Sequence, residues 1–248
     1  MYTEVDSRCP LGAKNQDLST ALSRFRFLTF DCYGTLVDWE TGILGTLRPL
    51  LLRHGKEIGD SQLLEWYGEF EAQGEEPPFR SYQEVLAGVV LAFGRRLEFT
   101  PSLEEQASLA ASLKNWKPWS DTVAALHQLR RKFKLAILSN IDDDLFTFTC
   151  PKLQVPFEDV ITAQQAHCYK PCLDLFRLAL ERLGTSPDEV LHIAQSVYHD
   201  VAPAKSLGLA TVWVNRPSAR PGLGAVKTSA AKSDWEVPDL ATLAAAVD

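Results

Sequence analysis

Apolar positions along the chain follow two rhythms. Between residues 41 and 117, Leu, Trp, Tyr and Phe recur at three- and four-residue spacing with little β-branched alternation, which is the signature of amphipathic helices. The boundary signals of Gly, Pro, Ser and Asp divide this block into helices over 44–54, 61–73, 82–97 and 103–113, the last opened by Thr100-Pro101-Ser102. From Trp119 onward, short apolar runs alternate with helical stretches. Helices are predicted over 121–132, 173–183 (closed by Gly184), 201–207 (closed by Gly208) and 240–247, and strands over 134–138, 160–162, 190–194 and 211–214. One further strand precedes everything else, in Phe27-Leu28-Thr29-Phe30.

Strands apolar on both faces and separated by helices predict a doubly wound parallel α/β sheet, covered on both sides. The all-helical block then sits as an insertion after the first strand. This gives a core over 25–41 and 118–248, a helical unit over 42–117, and a loosely ordered extension over 1–24. Residues 217–233, rich in Ala, Gly, Ser and Pro, read as a surface loop. The Trp66, Tyr67 and Phe70 cluster reads as packing.

Candidate chemistry lies where strands end. The first strand stops at Asp31, and Gly34 allows a sharp turn behind it. In an open α/β sheet, ligands bind in the crevice outside the strands' C-terminal ends, so polar residues just past each strand converge there. They are Asp31, then Ser139 and Asn140, then Lys170 in Tyr169-Lys170-Pro171, then Gln195, Ser196 and Asp200. Each also has a plainer local role, Thr35 as a turn residue, Lys170 as a solvated lysine, Asp200 as a helix cap. Together they make a site suited to handling an anion or displacing a leaving group.

The order and spacing of these residues resemble the haloacid dehalogenase superfamily, with an Asp nucleophile after the first strand, Ser after the second, Lys before a later helix and an acid after a further strand. The resemblance runs from about Phe25 to the C-terminus and implies a Rossmann-like core with an inserted helical cap domain. Asp31-Cys32-Tyr33-Gly34-Thr35-Leu36 and Ser139-Asn140 look like the metal-independent 2-haloacid dehalogenase branch. Phosphatases of the superfamily carry a second Asp where this chain has Tyr33, and hold Mg²⁺ with an acid where this chain has Gln195.

On this resemblance Asp31 forms an aspartyl ester, with Lys170, Asp200 and Ser139 as its catalytic partners. Tyr33, Thr35, Asn140, Ser196 and, in the cap, Arg80 are the expected substrate contacts. No cofactor or metal is expected; Mg²⁺ would enter only for the alternative, a phosphatase acting on a small phosphate ester. A weakly catalytic binding protein on the same scaffold is a third reading. The sequence departs from the branch at Phe176, where it has a tyrosine, and in offering no arginine over 66–73. His199, next to Asp200, is either an orienting residue or a polar residue on a helical turn.

Composition trims the remaining choices. Of 248 residues, 46% are hydrophobic and 23% charged, which fits an ordinary globular protein. A net charge of -7 argues against nucleic acid as a partner. No apolar run reaches membrane-spanning length, and the polar start of the chain lacks the pattern of a signal peptide. Five cysteines without metal-type spacing suggest a reducing, cytoplasmic setting. The expected partner is a small molecule. Cap-mediated homodimers occur in the family and are compatible with this chain.

Overall fold

The computed structural model describes residues 18–216, 224–225 and 229–247. Its centre is a six-stranded, wholly parallel sheet in the order β3-β2-β1-β4-β5-β6. The strands are β1 (Phe27–Phe30), β2 (Lys134–Ser139), β3 (Asp159–Thr162), β4 (Val190–Ala194), β5 (Ala210–Val214) and β6 (Trp235–Val237). All four residues of β1 and all five of β4 are buried, as strands covered on both faces must be. β1 pairs with β2 on one side and β4 on the other, with Phe30 level with both Ile137 and Ile193. The chain therefore reverses its direction of winding beside β1, and the crevice opens at that strand's C-terminal end.

A short helix α1 (Leu18–Leu22) comes first, with Ala21 and Leu22 buried. The extension expected over 1–24 is thus ordered in its last part; residues 1–17 lie outside the described residues. Between β1 and β2 stand α2 (Trp39–Arg53), α3 (Asp60–Gly74), α4 (Tyr82–Leu97) and α5 (Leu103–Ser112), followed by α6 (Thr122–Leu129). Helices α2 to α5 form the predicted helical insertion. Helix α4 begins with a capping box in which Ser81 and Glu84 satisfy each other's backbone amides, and Ser102 and Glu105 do the same for α5. Each buries one apolar stripe; Val85, Leu86, Val89, Val90 and Phe93 supply that of α4.

The remaining helices are α7 (Asp143–Phe146), α8 (Cys150–Leu153), α9 (Ala163–Ala166), α10 (Leu173–Leu183), α11 (Ala202–Ser206) and α12 (Leu240–Ala245). The helix expected over 201–207 is preceded by a wide π-type turn, Val197–Val201, which carries Asp200. Ala225, inside the stretch expected to be a surface loop, is instead 5% exposed and packs against the cap. Among the described residues no helix is long and apolar enough to cross a membrane.

Candidate active site

Asp31 follows the last residue of β1, and its amide bonds to the Ile193 carbonyl of β4, so the sheet's own ladder fixes it. The chain then turns through Gly34 at φ 99°, a conformation natural to glycine. A Cβ there would stand 3.2 Å from both the Gln195 Oε1 and the Trp39 Nε1 atoms, so the turn also needs the space. Behind the turn, the Thr35 hydroxyl donates to Asp31 Oδ2 at 2.6 Å and accepts from the Gln195 amide at 2.8 Å. Arg216 holds the Thr35 carbonyl through Nε and Nη2, at 3.1 and 2.9 Å, while pairing with Asp121. One oxygen of the carboxylate is thereby aimed.

Lys170 holds the other. Its ammonium, 2% exposed, donates to Asp31 Oδ1 at 2.8 Å, to Asp200 Oδ1 at 2.7 Å and to the Leu138 carbonyl at 3.0 Å. Asp200 Oδ1 also meets His192 Nε2 at 3.0 Å, and His192 Nδ1 meets the Thr29 hydroxyl at 2.9 Å, a relay wholly inside the sheet. Asp200 Oδ2 and Ser139 Oγ are buried without a hydrogen-bond partner among the described residues. Buried polar atoms are nearly always satisfied, so two orphans in the pocket of the Asp31 carboxylate mark where a ligand or a water belongs.

A single ammonium shared by two buried carboxylates splits their acidities. Burial would raise Asp200, but the Lys170 charge and the His192 contact outweigh it and hold it below the usual carboxylate range. Burial pushes Asp31 up, against the pull of Lys170, and the neighbouring Asp200 charge adds to the rise. Burial works against the Lys170 charge, yet the two carboxylates more than offset it and keep the ammonium protonated.

The pocket in front of Asp31 is small, about 50 Å³, and the cap forms part of its wall. Trp39 comes from α2, Glu71 and Glu75 from the end of α3, Tyr82 from α4, and Ala225 from the far side. Polar contacts near the pocket tie cap to core. Buried Asp142 accepts from the Tyr82 and Gln83 amides at 2.9 and 3.0 Å, capping α4 from outside the cap. Asn140 Nδ2 donates to Glu75 Oε1 at 3.1 Å, and the Tyr169 hydroxyl donates to the Arg80 carbonyl at 2.8 Å.

Asp31, Lys170, Asp200, Ser139, Asn140, Ser196 and Tyr33 all line this pocket, and Thr35 stands immediately behind it. Arg80 does not reach it. Its side chain is spent on the Gly74 carbonyl, 2.9 Å away on the cap's surface, so the expected substrate contact by this arginine is corrected. Three other expected contacts change character. The Asn140 carboxamide is committed at both ends, to Glu75 and to the backbone of Lys170, and so sets the lysine's position. Tyr33 offers its ring while its hydroxyl bonds to Thr149 at 2.8 Å. The Ser196 hydroxyl accepts from the His199 amide at 3.0 Å, fastening the π-type turn.

A family model for haloacid dehalogenase-like hydrolases matches residues 25–208. The chain belongs to that family. Among the hydrolase's relatives is an (S)-2-haloacid dehalogenase 4A from Burkholderia cepacia, 26% identical over 79% of this chain and 85% of the relative. A rhythmically expressed gene 2 protein from Drosophila melanogaster is 27% identical over 80% and 86%. The solved L-2-haloacid dehalogenase from Xanthobacter autotrophicus superposes with a TM-score of 0.76 at 24% identity, covering 90% of this hydrolase and 98% of that chain, which establishes the shared fold.

A divalent cation does not fit the donors this hydrolase presents. Asp31 Oδ1 and Asp200 Oδ1 are both taken by Lys170, and Tyr33 and Gln195 stand where carboxylates would be needed. Among the described residues no cluster of three His, Cys, Asp or Glu side chains is arranged to hold a metal.

Sequence reasoning missed Thr29, His192, Arg216, Glu71 and Glu75. His192 carried a signal, being the one polar residue within an apolar strand. So did Tyr67, Glu71 and Glu75, a polar stripe at four-residue spacing inside an amphipathic helix.

Proposed function

We propose that this hydrolase is a metal-independent 2-haloacid dehalogenase-like enzyme, releasing halide from a small 2-halocarboxylate through an ester on Asp31. Asp31 attacks the substrate's Cα, and the carbon–halogen electron pair leaves with the halide. Water then attacks the ester carbonyl, releasing the hydroxy acid and restoring the carboxylate. Lys170 offsets the charge of Asp31, and Asp200, whose second oxygen has no partner among the described residues, is our candidate to take a proton from that water.

The observation that carries this reading is the set of neutral donors that lack partners among the described residues beside a carboxylate aimed on both of its oxygens. Ser139 Oγ, the Gln195 carboxamide and the Trp39 indole N–H all line the pocket and suit a substrate carboxylate. A pocket of this size suits a short acyl chain. The relatives named as 2-haloacid dehalogenases support the same substrate class.

The test is a panel of chlorinated, brominated and fluorinated short acids followed by free halide. Release is expected to be indifferent to chelator and to added Mg²⁺, and to disappear in Asp31→Asn. With enzyme in excess in ¹⁸O-water, one turnover places the label in the Asp31 carboxylate and leaves the product hydroxyl unlabelled. Phosphate release that requires Mg²⁺ would overturn the reading.

A further inference from the structure

The cap carries a buried acid that the chemistry above leaves unused. Glu71, near the end of α3, is 7% exposed and lines the pocket with Asp31. The Tyr67 hydroxyl donates to its Oε1 at 2.9 Å and the Tyr82 hydroxyl at 2.5 Å. Two phenols saturate that oxygen. Oε2 has no hydrogen-bond partner among the described residues and is the oxygen left to the pocket. A neutral carboxyl in this setting carries its proton on Oε2, because Oε1 is already an acceptor twice over.

We infer that Glu71, as a neutral acid, donates a hydrogen bond from Oε2 to the departing halogen, in a site whose cap offers no arginine for that task. The inference rests on the displacement by Asp31 proposed above. As the Asp31 oxygen bonds to carbon, the carbon–halogen pair leaves on the halide, the Oε2–H bond points at that growing charge, and the proton stays on Glu71. Atoms and charge balance without a further reactant. A fixed donor aimed at developing charge in a dry pocket is an efficient form of catalysis, and it matters most for the poorest leaving group.

Burial favours the neutral form of this acid. Burial pushes the Glu71 carboxyl up to about 7, even though the Tyr82 and Tyr67 hydroxyls pull the other way. The titratable groups around it are Tyr67 and Glu75 on its own helix, Tyr82 on α4, Tyr169 and Lys170 from the segment before α10, Asp31 after β1, and His199 and Asp200 on the π-type turn. Burial raises the phenols of Tyr67 and Tyr82 well above their ordinary value, so both remain donors when Glu71 ionises.

Halide release from 2-bromo-, 2-chloro- and 2-fluoropropionate, measured as kcat/KM against pH, tests this in wild type, Glu71→Gln, Glu71→Ala and Tyr82→Phe. Wild-type activity should decline above about pH 7 as Glu71 ionises. Glu71→Gln keeps an acceptor for the phenols and an N–H for the halide, so it should retain turnover and lose that decline. Tyr82→Phe removes a hydrogen bond that favours the carboxylate, so the decline should move to higher pH. Glu71→Ala should lower chloride release roughly 10- to 100-fold, the worth of one hydrogen bond to a charged partner, with a larger loss for fluoride and a smaller one for bromide. An unchanged decline in Glu71→Gln, or an equal loss for all three halogens in Glu71→Ala, overturns the role of Glu71 while leaving the Asp31 reading intact. Absence of halide release from wild type overturns both.

Discussion

Asp31 and Asp200 share one ammonium, and their opposite shifts make opposite predictions for stability. The folded-state affinity of Asp31 for its proton is raised above the ordinary value of 3.8, so its ionisation weakens the fold as pH climbs through the raised value, and that cost is present at neutral pH. Asp200 is lowered, so it supports the fold above 3.8 and loses that support as pH falls through its own lower value. Asp31→Asn should therefore raise the thermal midpoint at pH 8 while abolishing turnover, with a gain that shrinks as pH falls toward the ordinary carboxylate value of 3.8. Asp200→Asn should lose about 1–3 kcal/mol at pH 8 by urea unfolding, since Lys170 and His192 each lose a charged partner. Asp31 and Ser139 could be placed on the rim because they stand at the ends of strands, and Lys170 and Asp200 because they lie in the connections that leave β3 and β4 on that same rim. Thr29 and His192 were not, because they meet across 163 positions and no local pattern encodes such a meeting, whereas Glu71 left only the faint four-residue spacing it shares with Tyr67.

At the scale of elements, helices 82–97 and 173–183 and strand 190–194 match the structure at both ends; the Ser81–Glu84 capping box opens the first and Gly184 closes the second. Helix α2 starts five residues before the predicted 44, at Trp39, where Asp38 accepts from the Thr41 amide. Helices α7, α8 and α9, each of four residues, and strand β6, of three, are too short to show a period. The π-type turn at Val197–Val201 has no propensity signature, since it exists to bring Asp200 under Lys170. The fit of α3 against the segment at Ala225 also depends on one absent side chain. A Cβ on Gly68 would come within 2.7 Å of the Ala225 carbonyl oxygen, which is backbone and has nowhere to yield. Gly68→Ala should cost about 1–3 kcal/mol by overpacking and raise KM, because both sides of that contact shape the pocket; thermal unfolding and initial rates check it.

For the whole molecule, the insertion of an all-helical unit after the first strand was readable from the change of rhythm alone. How that unit meets the core was not, because the seam is made of single polar and aromatic residues scattered over the sequence. Asp142 is the principal one: a buried core carboxylate that caps a cap helix. Asp142→Ala should cost about 1 kcal/mol, as loss of a helix cap does, and raise KM more than it lowers kcat; steady-state kinetics separate the two.

That seam decides how the enzyme breathes. A greasy joint would resist parting, since each opening would wet apolar surface, and mild warming would tighten it. This seam is mixed: a clasp of Asp142, Asn140 and Tyr169 trades its partners for solvent, while the stack of Phe79 on Tyr169 and the edge contact of Tyr33 with Trp116 must be wetted to part. Parting the cap therefore gives up polar partners readily but keeps an apolar cost, and the directional bonds are what hold the shut state in one registry.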